Sequence, residues 1–442
     1  MNDIISYLIN FLISDPGCNH GTNIAVKVGY TADISQFKDY DLVIIPSGFF
    51  NSETYGKPSS IPSLPLAEWE GIPLLYGHSK MEIIGKTLVL HADLIASAYF
   101  LLSRYEEIIR RDARDEHGRF PGKESLAYHA KFIHRPVIDE YRLQLQKLLK
   151  DKLPAEVLVK PRLKAVELTH DIDAPYLYRT WKGVIRSLIF DRRGIGATVR
   201  CKFGKKENDP YYTFPWLFEQ DNHLSYTSEN VHLFLFFKAA KKHHLDKPHY
   251  NPGERDIKHI ANIFSKNKKT NIGLHISYEA GKKPSVEIIK KEKNRLEKGL
   301  NISTSIARHH FLSSREPEDM ELLPLSGIYD DYTMGYADIS GFRLGTANAV
   351  RWINPSSRQL TSLTLHPLII MDCSLEEDYY MGLNHDEAKL YCLELIKNIK
   401  KTGGVISMLW HNVSAMENTG SYLRNLYVTL LLSIKNELKI QS

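Results

Sequence analysis

From Lys164 to the C-terminus, short apolar runs alternate with amphipathic stretches of helical period, and this alternation constrains the fold more than any other feature. The strand candidates are "KAVELTH" (164–170), "VHLFLFF" (231–237), "NIGLHI" (271–276), "STSIARHH" (303–310), "LTLHPLIIMD" (363–372) and "GVISMLWH" (404–411). Between or after them, "GERDIKHIANIFSKN", "SVEIIKKEKNRLEKGL", "HDEAKLYCLELIKNIKK" and "SYLRNLYVTLLLSIKNEL" carry apolar residues at helical spacing. Gly403 and Gly404 close the helix before the last strand, as a C-cap should. Strands alternating with helices specify a parallel sheet or a β/α barrel, whose C-terminal strand ends gather on one face.

The chain before Lys164 has a different character, and 442 residues exceed one ordinary domain. "DLVIIPSG" (41–48) reads as a strand closing on a turn. Residues 86–120 predict a strand and then one long helix, with Leu94, Ala98, Leu101, Leu102 and Tyr105 at helical spacing. A second helix over Val137–Leu153 runs into "KLPAEVLVKPR", whose prolines and charges suit a linker. The expected division is an α/β domain over 1–155 and a second domain over 160–442, with an irregular aromatic insertion at Tyr176–Thr227.

Bulk properties exclude several classes. A net charge of +5 over this length does not signal nucleic acid, and the lysine run 282–298 is mixed with glutamates, as on a solvated helix face. The cysteines Cys18, Cys201, Cys373 and Cys392 form no CxxC pair, which fits reduced thiols rather than a disulfide framework. No run reaches the ~20 apolar residues of a membrane span, and Ile4–Ile13 lacks the basic flank and cleavage site of a signal peptide. The expected location is the cytoplasm.

The polar residues fall at the strand ends. His170, Asp171 and Asp173 follow "AVEL", His275 follows "NIGL", Arg308, His309 and His310 end "STSIA", and His411 and Asn412 end "VISMLW". Carboxylates packed this closely repel one another unless a cation sits between them. Histidines at four converging strand ends with an Asp-x-Asp therefore point to a metal site of the mixed carboxylate–imidazole kind used in catalysis. Such an ion activates water, one aspartate offers a base, and His411 offers the acid. His170 suits a supporting role, His366 and His385 structural ones, and "KKHH" (241–244) a solvated turn; His309 should point away from the site on its strand.

"LTHDID", "GLHISYEA", "ARHHFL", "GFRLGT" and "LWHN", in this order, resemble the polysaccharide deacetylase family with its NodB-type homology domain. "ASAYFLLSRYEE" and "RDEHGRF" are similar to the extra N-terminal domain of unknown function in one bacterial subgroup. The resemblance implies a distorted (β/α) barrel of about seven strands that removes N-acetyl groups from an amino sugar in a polysaccharide or glycan precursor, using a divalent metal. It assigns Asp171 as base, Asp173 and His275 as metal ligands, Arg343 as the group that orients the base, and His411 as acid. Ile172 separates aspartates that are adjacent in the common motif, so base and ligand could be exchanged. The third ligand is His310, with Glu279 as the alternative four residues beyond His275. Arg308, Asp331, Tyr332, Tyr278 and Trp410 are the candidate substrate contacts, Arg308 serving either a substrate or a carboxylate. The ligand set admits zinc first, then cobalt, nickel, manganese or iron. Competing expectations are a hydrolase of another small amide or ester, and a catalytically decayed carbohydrate-binding protein.

Overall fold

The computed structural model of the chain describes residues 1–17, 25–240, 244–417 and 419–441. Cys18 and residues 241–243 of the basic turn lie outside the described residues. The architecture is mixed α/β, dominated by one large and mostly parallel sheet.

Among the described residues, six strands precede Leu163: β1 (Val28–Tyr30), β2 (Leu42–Ile44), β3 (Ala67–Trp69), β4 (Ile72–Leu74), β5 (Gly77–Ile84) and β6 (Thr87–Ala92). They form a sheet of order β1-β2-β6-β5 and a separate β3-β4 pair. Asp93 caps the helix Leu94–Leu102, which is buried on every side. The single long helix expected after the strand breaks here, because Arg104 takes a left-handed conformation (φ 60°) and a short helix, Tyr105–Ile109, restarts beyond it. That turn sends the Arg104 guanidinium inward to Glu107 and Ser314 instead of along a solvated face. The helix Val137–Leu148 stops before Leu153, and the expected linker is packed: Val157 is buried and Gln146 bonds both Val157 and Val159. The helix Asn2–Ile13 lies against Val137–Leu148, with Arg142 Nε donating to the Phe11 carbonyl at 2.7 Å, so the first apolar run belongs to the core.

The larger sheet has nine strands: β7 (Leu163–Ile172), β8 (Val231–Lys238), β9 (Thr270–Ile276), β10 (Ile306–His309), β11 (Asp330–Met334), β12 (Val350–Asn354), β13 (Gln359–Pro367), β14 (Ile370–Met371) and β15 (Gly404–Leu409). Their order is β12-β13-β11-β10-β9-β8-β7-β15-β14, parallel except for β12 against β13. β11 is absent from the strand candidates read from the sequence. It escapes sequence recognition because both of its faces carry polar or aromatic groups that are satisfied only in the folded chain. The segment from β13 to β14 pairs first with β11 and then with β15. At the changeover Leu368 N bonds Met334 O at 3.0 Å and Ile369 N bonds Ser407 O at 3.1 Å, so one continuous run joins strands from opposite ends of the order.

Residues alternate between the faces of each strand. Val166, Leu168, His170 and Ile172 of β7 face outward, whereas Thr169 and Asp171 face inward. There Arg308 of β10 donates to Thr169 Oγ1 at 2.9 Å. Phe234 of β8 meets Tyr332 of β11 with ring centroids 4.6 Å apart, and His366 of β13 stacks on Tyr332 at 4.1 Å. β8 and β11 are not neighbours in the sheet, so the sheet curls around a shared interior. Gly273 makes room for it: a Cβ there would fall 2.7 Å from the Phe236 ring.

The stretch expected as an irregular insertion contains a framework helix, Phe214–Ser225, with Phe214, Leu217 and Leu224 buried. Among the described residues, no helix is long and apolar enough to cross a membrane.

Candidate metal centre

The Asp-x-Asp spacing follows from strand geometry. Side chains two residues apart on a strand share a face, so Asp171 and Asp173 both turn inward at the end of β7 while Ile172 packs outward in the core. His275 ends β9 beside them, its Nε2 3.2 Å from Asp173 Oδ1 and 3.5 Å from Asp171 Oδ2. His310 follows β10 and brings its Nε2 to 3.3 Å from Asp173 Oδ1. One ligand atom from each of Asp173, His275 and His310 lies within 4.8 Å of the others.

Both histidines have their other nitrogen engaged by an acceptor. His275 Nδ1 donates to the Arg308 carbonyl at 3.0 Å, and His310 Nδ1 donates to Asp246 Oδ1 at 2.8 Å. Each ring therefore carries its proton on Nδ1 and turns the Nε2 lone pair to the centre, the tautomer a metal ligand needs. His275 Nε2 and Asp173 Oδ1 are buried polar atoms without a hydrogen-bond partner. Buried polar groups are rarely left so, and a cation satisfies both. Burial pushes the His310 imidazole toward its neutral form. Burial alone would raise the Asp173 carboxyl, but His310, His275 and the Lys238 ammonium hold it well below the usual carboxylate range. On charge and geometry the residues fit a divalent ion.

Asp171 differs from Asp173. Arg308 Nη1 lies 3.0 Å from its Oδ1, inside a fully buried ion pair, with the guanidinium also held by the Tyr332 carbonyl and stacked 4.5 Å over Phe236. His411, following β15, approaches from the other side, with Nε2 3.7 Å from Asp173 Oδ2. Asp372 fixes it, accepting from His411 Nδ1 at 2.8 Å and from its backbone N at 2.6 Å. Burial would lower the His411 pKa, but the Asp372 carboxylate outweighs it and raises the pKa well above the ordinary value. Asp372, Cys373 and His411 also lie within metal-ligand reach of one another, but His411 Nδ1 is already committed to Asp372.

Several sequence expectations need correction. Arg343 does not meet Asp171: it forms a bidentate pair with Glu107 at 2.9 Å and bonds the Gly335 carbonyl, deep against the N-terminal part. Arg308 takes the place beside Asp171, its side chain fully buried and paired with that carboxylate. Asp331 is buried and spends its carboxylate on Thr333, on the face where His309 also lies. Tyr332 is interior packing between Phe234 and His366. Trp410 is core against Tyr427. Tyr278 is buried under Arg315, its hydroxyl 3.4 Å from His117 Nδ1. Glu279 is absent from the ligand cluster, and its backbone N rests 3.4 Å from Asp246. His170 is supporting, between Asp221 and the Trp410 carbonyl.

Sequence reasoning missed Asp246 and Lys238. Lys238 ends β8 with Nζ 3.9 Å from Asp173 Oδ1, and a charge closing the apolar run "VHLFLFF" was the available signal. It also missed how the N-terminal part grips the turn carrying His310. Phe311 and Leu312 both have positive φ, 60° and 52°, a conformation costing roughly 1 kcal/mol per residue. Arg119 Nη1 holds the Phe311 carbonyl at 2.8 Å, and Arg104 Nη2 holds the Ser314 carbonyl at 3.0 Å.

Comparisons with known proteins are sparse. Residues 9–154 match a family of unknown function, DUF7033. No curated protein matches the chain. A solved structure described as "putative polysaccharide deacetylase from Mycobacterium smegmatis" is similar at 15% identity and a TM-score of 0.38, covering 64% of this chain and 93% of that chain. At that TM-score the likeness carries no weight.

Proposed function

We propose that the chain is a metal-dependent hydrolase that removes the N-acetyl group of an amino sugar in a polysaccharide or glycan precursor. The observation that carries this reading is the convergence of ligand atoms from Asp173, His275 and His310, with Asp173 Oδ1 and His275 Nε2 lacking a hydrogen-bond partner, flanked by two differently supported groups, Asp171 and His411. The acetamide specificity comes from the resemblance of "LTHDID", "GLHISYEA", "ARHHFL" and "LWHN". The curled sheet is read as a seven-stranded barrel, in which β13 and β14 count as one staved run between β11 and β15. Residues 1–155 and 160–442 are taken as its two domains.

A divalent ion at Asp173, His275 and His310 would polarise the acetyl carbonyl and make water acidic enough to attack. Asp171 accepts the water proton, and Arg308 keeps its carboxylate aimed. Attack forms the new carbon–oxygen bond. His411 then gives its Nε2 proton to the nitrogen as the carbon–nitrogen bond breaks, releasing acetate and a free amine. Asp372 stabilises the imidazolium before that transfer. The free thiols Cys201, Cys373 and Cys392 support a reducing compartment such as the cytoplasm.

Acetate release from N-acetylated oligosaccharides by the metal-loaded protein tests this reading. Asp171→Asn should lower turnover on the order of 1,000-fold while keeping its metal. Turnover of small esters with none of any N-acetylated sugar would replace the substrate class. Full activity in Asp171→Asn would remove the mechanism.

A further inference from the structure

Between Trp181 and Phe203 two helical segments follow one another, Trp181–Ile185 continuing into Arg186–Phe190, and then Ile195–Phe203. Their amphipathicity is reversed. The buried positions are small or polar: Gly183, Ser187, Thr198 and Cys201, with Ser187 and Thr198 joined hydroxyl to hydroxyl at 2.7 Å. The large apolar residues point outward. Trp181, Ile185 and Ile189 form one stripe four residues apart, and Ile195, Val199 and Phe203 form another. Exposure reaches 69% at Trp181, 76% at Phe190, 75% at Ile195 and 69% at Phe203. Trp181 and Phe203 meet edge to face at 6.4 Å, so the two stripes make one patch. Elsewhere exposed apolar side chains are more scattered, and scattered ones need no explanation, whereas a contiguous patch marks a contact surface.

The charges at this patch identify the contact. Lys182, Arg186, Arg192, Arg200 and Lys205 are exposed among the apolar residues. Among the described residues, only Arg186 of these pairs with a carboxylate, Asp191. Lys202 lies over the Trp181 ring at 4.8 Å, bringing a further cation to the patch. A second copy of the chain would set these cations against their own kind. An anionic bilayer satisfies both features at once, since apolar side chains enter the acyl boundary while Lys and Arg meet lipid phosphates. We propose that this helical pair docks the protein peripherally on an anionic phospholipid surface. The pair leaves the sheet at Asp173, and the chain returns at Tyr211, whose carbonyl accepts from Asn412 beside His411 at 2.7 Å. Docking would therefore hold the mouth of the site near the bilayer. The inference stands on the patch alone and does not depend on the reaction proposed above.

Co-sedimentation of the full chain with phosphatidylcholine vesicles, with and without phosphatidylglycerol, tests it. Binding is expected only with phosphatidylglycerol and should weaken as salt rises. Ile189→Ser/Phe190→Ser/Phe203→Ser should lower partition on the order of 100-fold, and Arg192→Gln/Arg200→Gln roughly ten-fold. These side chains are exposed, so both variants should melt as the wild type does. No vesicle binding, equal binding to neutral vesicles, or undiminished binding by the apolar variant would overturn the proposal. A wild-type dimer in solution that the apolar variant converts to monomer would also overturn it, assigning the patch to a second copy.

Discussion

Two buried clusters in this molecule have similar ingredients and opposite characters. Around Glu107, the guanidinium groups of Arg104 and Arg343 close on a single carboxylate, and their other donors reach Ser314 and the Gly335 carbonyl. Around Asp173, two imidazoles and an ammonium surround a carboxylate, yet Asp173 Oδ1 and His275 Nε2 have no hydrogen-bond partner. The first cluster is complete within the protein and holds the N-terminal part to the larger sheet. The second is incomplete and asks for a cation. Buried charge alone does not mark a site; unsatisfied, converging donor atoms do.

Breaking the complete cluster should affect folding and leave the site's chemistry intact. Glu107→Gln strands two buried guanidinium groups and should cost about 3–5 kcal/mol of stability, read by denaturant unfolding, with the metal-to-protein ratio of the folded fraction unchanged. Loss of metal at unchanged stability would erase the distinction between the clusters.

A partly buried group sharpens it. His366 lies between Asp330, 3.0 Å from its Nε2, and Glu167. Burial would lower its pKa, but hydrogen bonds to the two carboxylates outweigh that and raise it to about 9. A folded pKa above the unfolded value of about 6.5 gives stability that is complete below pH 6.5 and lost as pH rises through 9. The loss should be roughly 3 kcal/mol across that window, and His366→Gln should flatten it in thermal melts between pH 6 and pH 10. An equal slope in that variant would move the effect elsewhere.

The smallest expected effect lies where the two regions touch. Arg119→Ala frees the strained turn behind His310 and should weaken metal affinity roughly ten-fold in a chelator competition on the folded protein, with some loss of stability because Asp115 also loses its partner. Unchanged affinity would mean that the turn holds itself.

The sequence made the site's outline legible because its signals were local. Strand period puts Asp171 and Asp173 on one face and His309 opposite His310, and parallel strands bring their C-terminal ends together. What stayed hidden was partnership across the chain. Arg343 carries a recognisable motif, but its partner Glu107 is 236 residues away, and nothing local distinguishes that carboxylate from Asp171. Arg308 looked like a substrate contact until the interior placed it under Thr169 and Asp171. Tyr332 and Asp331 looked like substrate contacts because β11 lacks the apolar alternation that announces a buried strand. Asp372 ended an apolar strand and was visible, yet its role depends on His411 from another strand.

The most direct test is the metal content of purified wild type, Asp173→Ala, His310→Ala and Arg343→Lys by elemental mass spectrometry. The account predicts about one divalent ion per chain in wild type and Arg343→Lys, and loss of it in Asp173→Ala and His310→Ala. A wild type that takes up no metal on reconstitution, or ion retained in both ligand variants, would contradict it.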